Sequence, residues 1–181
     1  MLTPEQRNQL LSIARRSIEA VLAGHRPDLG GVSLDPVLTR PSGAFVTLHE
    51  AGGELRGCIG SIQAVAPLFQ AVSSSAINAA FRDPRFFPVT PEELPALHIE
   101  ISVMSPIEAV TNVEEIEVGR DGLIVSRGGS AGLLLPQVAS EYGWDRETFL
   151  RQTCVKAGLP PDAWRSPDCR IERFSAEVFA E

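Results

Sequence analysis

The hexapeptide Leu55-Arg56-Gly57-Cys58-Ile59-Gly60 holds the residue types in this chain that packing alone explains least well. It falls where the pattern calls for a strand, yet two glycines flank a cysteine there. Glycine inside a strand weakens it and marks a bulge, or the close approach of a ligand or another backbone. A period of two sets Arg56 and Cys58 on one face of that strand and Leu55 and Ile59 on the other. A guanidinium beside a thiol favours the thiolate, the nucleophilic form of sulfur. The structural alternative makes Cys58 a small buried hydrophobe and Arg56 an ion-pair partner.

A thiol nucleophile needs a base, and the chain has three histidines, His25, His49 and His98. His25 follows the first predicted helix, where a cation suits the helix dipole. His49 ends the strand expected to pair with the one carrying Cys58. His98 shares a strand face with Glu100 and Ser102. If that face lies beside Cys58, a cluster of Cys58, Arg56, His98, Glu100 and Ser102 forms; if not, His98 is structural. The segment Arg82-Asp83-Pro84-Arg85-Phe86-Phe87 reads either as a rigid Arg/Asp network closing one side of a cleft or as a loop pinned by Phe86 and Phe87. The run from Arg127 to Gly132 lacks the Gly-Lys-Ser/Thr ending of a phosphate loop and reads as a hairpin loop. No metal-ligand spacing stands out, so neither metal nor cofactor is expected.

The elements that must position these groups follow from periodicity and punctuation. Thr3, Pro4 and Gln6 form a capping box opening a helix with apolar face Leu10, Leu11, Ala14, Ile18, Val21 and Leu22, stopped at Gly24. Pro27, Gly30, Gly31, Pro36 and Pro41 then predict a loop or extended arm. Phe45–His49, a turn at Gly52-Gly53 and Glu54–Gly60 make a hairpin. A second helix runs from about Pro67 to Phe81 with an exposed-looking Ser73-Ser74-Ser75 run, and Thr90-Pro91-Glu92-Glu93 implies a single helical turn. Leu97, Ile99, Ile101 and Val103 alternate with His98, Glu100, Ser102 and Met104 in a half-buried strand. The acidic segment holding Glu108, Glu114, Glu115 and Glu117 reads as a solvated turn or short helix. Gly122–Arg127 and Leu133–Leu135 flank a five-residue loop, helices begin at Pro136 and after Asp145, and Cys169–Phe179 closes the chain as a strand. Hairpins mixed with helices, without repeated β-α-β spacing, predict an α+β fold with mostly antiparallel strands.

Composition narrows the function classes. The chain has 181 residues with 16 Lys+Arg and 23 Asp+Glu, a formal net charge of −7. That length suits one domain or two small lobes. The acidic balance argues against nucleic acid as a partner. Three cysteines, at 58, 154 and 169, form an odd set without C-x-x-C spacing and read as reduced thiols of the cytoplasm. The first residues lack a basic stretch followed by an apolar one, and no run approaches a membrane span, so a cytoplasmic protein is expected.

The residues then suggest a family. Phe45-Val46-Thr47-Leu48, the Arg56–Gly60 block, Asp83-Pro84-Arg85-Phe86, Leu94-Pro95 and Ile99-Glu100-Ile101-Ser102-Val103 resemble the AMMECR domain in order and spacing. So do Gly122, Leu134-Leu135-Pro136-Gln137-Val138-Ala139, Trp144 and Cys154-Val155-Lys156-Ala157-Gly158-Leu159. The resemblance covers nearly the whole chain, which looks like a prokaryotic member of the AmmeMemoRadiSam system protein A type. It implies a single AMMECR-type domain over residues 1–181, with a larger and a smaller lobe around a cleft. It also implies association with a Memo-like protein and a radical S-adenosylmethionine protein. Arg56, Gly57, Cys58, Gly60, Asp83, Arg85 and Glu100 fall on the family's motif residues, whereas His49 and His98 do not. The resemblance therefore shifts weight from a Cys–His pair to Cys58 with Arg56 and Glu100 as reacting groups, with Gly57, Gly60, Asp83 and Arg85 binding substrate or partner.

Overall fold

A computed structural model of the chain describes residues 1–29 and 35–181. The predicted loop positions Gly30 and Gly31 lie outside the described residues. The chain divides into two compact units, Met1–Met104 with Glu177–Glu181, and Ser105–Ala176.

The first unit begins with helix α1, Pro4–Leu22, opened by the expected capping box: Thr3 Oγ1 accepts from Gln6 N while Gln6 Oε1 accepts from Thr3 N. Strands β1 (Ala44–His49) and β2 (Leu55–Ser61) form the expected hairpin. Its turn uses Gly53 at φ +89°, a left-handed conformation that a side chain would strain. Helix α2 spans Leu68–Phe81 and strand β3 spans His98–Met104. The strands run β2-β1-β3, antiparallel, with β1 in the centre. Helix α2 packs on β1 and β2, and α1 packs on α2 and β3.

The core of this unit joins Leu10 and Ile18 of α1, Val72 and Ala76 of α2, Val46 and Leu48 of β1, and Ile99 and Ile101 of β3. Alternation along β1 therefore aims Ala44, Val46 and Leu48 inward and leaves Phe45, Thr47 and His49 on the other, half-buried face. The serine run of α2 departs from its expected exposure. Ser73 and Ser75 are buried, each with a partner that offsets the cost: Ser73 meets Ser17 at 2.7 Å, and Ser75 donates to the Ala44 carbonyl. The Thr90–Glu93 segment forms a turn in which Glu93 Oε2 accepts from Thr90 N, followed by a 3₁₀ turn at Leu94–Ala96.

In the second unit β4 (Glu108–Ala109) and β5 (Asp121–Arg127) both pair with the strand that ends the chain, and β6 (Ser130–Leu134) pairs with β5. The β5–β6 turn is only Gly128-Gly129, so Ser130, Ala131 and Gly132, expected in a loop, belong to a strand. Helices α3 (Pro136–Glu141) and α4 (Arg146–Lys156) follow, the latter capped by Asp145 as expected. Strand β7, Arg170–Ala180, completes the chain. Phe149, Leu150 and Cys154 of α4 meet Leu123 and Val125 of β5 in the core, with Trp144 and Trp164 packed against it. The secondary structure is α+β, with the recorded strand pairings antiparallel.

Candidate functional site

The register of β1 arranges the predicted residues in rows. Thr47 faces Cys58 on one side and Glu100 on the other. Residues opposite one another in an antiparallel sheet point to the same face, so Cys58, Thr47 and Glu100 form one row across three strands. The next row holds Leu55, His49 and His98, and the row on the other side holds Gly60, Phe45 and Ser102. Cys58, His98, Glu100 and Ser102 therefore share a face, as the predicted cluster requires, but β1 stands between the thiol and the rest. Two strand spacings put the backbones of Cys58 and Glu100 about 10 Å apart.

Arg56 does not follow the predicted alternation. The register shifts between Leu48 and His49, where Leu48 faces Gly57 and His49 faces Leu55. Arg56 is the extra residue of this bulge. Leu55 consequently shares the face of Cys58, the reverse of the period-two expectation. Arg56 is buried at 7% exposure and its side chain is turned to Glu93, with Nε 3.1 Å from Oε1 and Nη2 3.3 Å from Oε2. Its third nitrogen, Nη1, is buried and has no acceptor among the described residues. This guanidinium holds the Glu93 carboxyl below its ordinary range.

The guanidinium that does reach Cys58 belongs to Arg85. Asp83 is 4% exposed, and its Oδ2 accepts from Cys58 N at 2.9 Å and from Arg85 Nη2 at 2.7 Å. Its Oδ1 accepts from Arg85 N and Nε, and Arg85 Nη2 also lies 3.3 Å from the Cys58 carbonyl oxygen. Since β2 is the edge strand, Asp83 and Arg85 together satisfy the N–H and C=O that Cys58 turns away from β1. Arg85 and the Cys58 N–H hold the Asp83 carboxyl far below the usual carboxylate range. Phe86 lies against both guanidinium groups, 5.9 Å from that of Arg56 and 5.5 Å from that of Arg85. Phe87, expected to help pin this loop, is 89% exposed.

The two glycines meet the chain's own atoms. A Cβ on Gly57 would collide with the Ala79 carbonyl oxygen of α2, and one on Gly60 with the backbone and ring of Phe45. Their small size lets the helix approach the strand and the ring lie across it. At the thiol itself, Thr47 Oγ1 donates to Cys58 Sγ at 3.3 Å. Cys58 is half-buried, and Cys58, Cys154 and Cys169 are all free. His49 Nε2 stands 4.0 Å from Glu100 Oε1, an ion pair when the imidazole is protonated. Among the described residues no group of three or more His, Cys, Asp or Glu is placed to hold a metal ion.

Two residues of this site were absent from the sequence-based set. Thr47 is visible only once β1 is known to lie between β2 and β3. Glu93 lies in the segment expected to form a single helical turn, where it accepts from Thr90 N while also pairing Arg56.

Comparison with known proteins places this geometry in a family. The family model described as AMMECR1 matches residues 11–179. A Methanothermobacter thermautotrophicus protein is 48% identical over 191 residues, covering 99% of this chain and 96% of its own. A Methanocaldococcus jannaschii protein is 44% identical over 188 residues, covering 100% of this chain and 92% of its own. The crystal structure of an uncharacterised Pyrococcus horikoshii protein superposes with a TM-score of 0.84 at 43% identity, covering 99% of this chain and 93% of that one.

Proposed function

Because this chain belongs to the AMMECR1 family, we propose that it acts in the cytoplasm beside a Memo-like protein and a radical S-adenosylmethionine protein, binding a small molecule or one of these partners over the sheet face that carries Cys58. The observation that carries this reading is the row Cys58–Thr47–Glu100: a thiol, a hydroxyl and a carboxylate at successive strand positions on one half-buried face. Such a row offers one soft nucleophile, one neutral donor and one anion to a ligand lying across the strands. Asp83 and Arg85 serve it from the sheet edge by fixing the Cys58 backbone. The family resemblance supports the choice of partners. Among the described residues no helix is long and apolar enough to cross a membrane.

The test is co-purification of the chain with the two partner proteins, comparing wild type with Cys58→Ser and Glu100→Gln. A complex, or a change in the partners' reaction, that weakens in either variant supports the reading. Neither complex nor effect in wild type sinks it.

The Thr47–Cys58 hydrogen bond favours a second reading, a thiol enzyme in its own right with Cys58 as nucleophile. Thr47 then stabilises the thiolate, Arg85 supplies the neighbouring positive charge, and Glu100 orients substrate or carries protons. Arg56, committed to Glu93, acts through the strand it braces. A pH profile of alkylation decides: if Cys58 reacts at neutral pH no faster than an ordinary exposed thiol, the nucleophile reading fails.

A further inference from the structure

Strand β6, Ser130–Leu134, pairs with β5 and with no other described strand. Its register is unbroken, and the tight turn at Gly128-Gly129 fixes the phase, so that Ser130, Gly132 and Leu134 exchange hydrogen bonds with β5. The N–H and C=O groups of Ala131 and Leu133 therefore point away from β5, and no described residue pairs them. None of these residues belongs to the Cys58 site.

Sheet edges are ordinarily guarded by charge, proline or a bulge. The sequence of β6, Ser-Ala-Gly-Leu-Leu, contains none of these. At the β2 edge, by contrast, Asp83 and Arg85 cap the Cys58 N–H and C=O. Unpaired donors and acceptors in this fixed alternation specify an extended strand as occupant, because an extended chain presents its own at the same repeat.

Charge selects which strand. The charged residues of β5 and α4 other than Lys156 each have an ion-pair partner. Lys156 is exposed, and among the described residues only the partial negative charge of its own helix terminus faces it. The peptide bond from Lys156 to Ala157 lies against the middle of β6, where a Cβ on Gly132 would strike Lys156 C and Ala157 N. A second copy paired antiparallel about Gly132 would bring two Lys156 residues to one axis. A strand carrying a carboxylate would instead neutralise the one that is there.

We propose that β6 receives an extended acidic peptide segment, its backbone bonded to Ala131 and Leu133 and a carboxylate beside Lys156.

The peptide acetyl-Thr-Val-Glu-Val-Thr-amide and its Gln analogue, titrated into the full chain and followed by backbone amide NMR, test the proposal. The Glu peptide is expected to shift the Ala131 and Leu133 amides and to bind about fivefold more tightly than the Gln peptide, a ratio that corresponds to an ion pair of about 1 kcal/mol. Lys156→Gln, an exposed substitution, is expected to bring the two peptides to equal affinity. Ala131→Pro removes an outward N–H and no bond to β5, and is expected to abolish binding of both peptides while the β5 amides stay protected from hydrogen exchange. The proposal is overturned if neither peptide shifts those amides, if the two bind alike, or if either substitution leaves wild-type binding intact. It is also overturned if sedimentation shows the chain alone dimerising and Ala131→Pro restoring the monomer, which would give the edge to a second copy.

Discussion

The backbone N–H of Cys58 donates to Asp83 Oδ2 at 2.9 Å, so a buried carboxylate from the loop after α2 closes the sheet edge at the residue that carries the thiol. Arg85, held by the same carboxylate, reaches the Cys58 carbonyl from the same side. The position of the Cys58 backbone thus depends on one Asp–Arg pair.

Asp83→Asn keeps the shape and removes the charge that Arg85 and the Cys58 N–H share. The expected cost is about 1–3 kcal/mol, as for a buried hydrogen bond to a charged group. Asp83 has a lowered pKa in the folded state, so its contribution is present above the unfolded carboxyl pKa and is lost as pH falls through the folded one. Urea unfolding followed from pH 7 into the acid range below pH 4 checks this, with wild type losing a component of stability that the variant lacks throughout.

Gly57→Ala drives a methyl into the Ala79 carbonyl of α2, which is backbone and yields only if the helix shifts. Overpacking of this kind costs about 1–3 kcal/mol. A lower thermal midpoint in a soluble, folded variant is the expected reading. An unchanged midpoint would mean that the helix–strand contact is looser than the close approach requires.

Thr47→Val preserves volume and removes the donor to Cys58 Sγ. Alkylation of Cys58 near neutral pH is expected to slow several-fold, with Thr47→Ser restoring much of the rate, because hydrogen bonding to the charged form favours it. Equal rates in all three proteins would assign Thr47 to packing alone.

Glu93→Gln leaves the buried Arg56 guanidinium without its carboxylate while Nη1 already lacks an acceptor. A loss of about 2 kcal/mol is expected, since Glu93 itself is partly exposed and solvent replaces some of the interaction. Arg56→Met combined with Glu93→Gln is expected to recover part of it, because methionine in place of Arg56 leaves no buried charge behind. Denaturant titration of the two variants measures the difference.

Much of the scaffold was legible because local signals agreed: the Thr3–Gln6 box, the alternation from Leu97 to Met104 and the Asp145 cap each act within a few residues. Elements whose partners are distant were read less well. Ser73 and Ser75 look exposed until Ser17 and the Ala44 carbonyl are brought to them, and β4 is too short to show a period.

The candidate site divides along the same line. Sequence by itself determined that a glycine-flanked Cys58 stands on a strand, that Glu100 projects from the same side of its strand as His98, and that Asp83 and Arg85 lie two residues apart in a proline-bound loop. Strand order and the bulge at Arg56 were decided by tertiary structure. Alternation defines faces within one strand, whereas pairing register defines which faces meet, and one extra residue reverses the relation. So Thr47 separates Cys58 from Glu100, Arg56 turns to Glu93, and Arg85 stands at the thiol's backbone, because contacts between residues far apart in the chain set those positions.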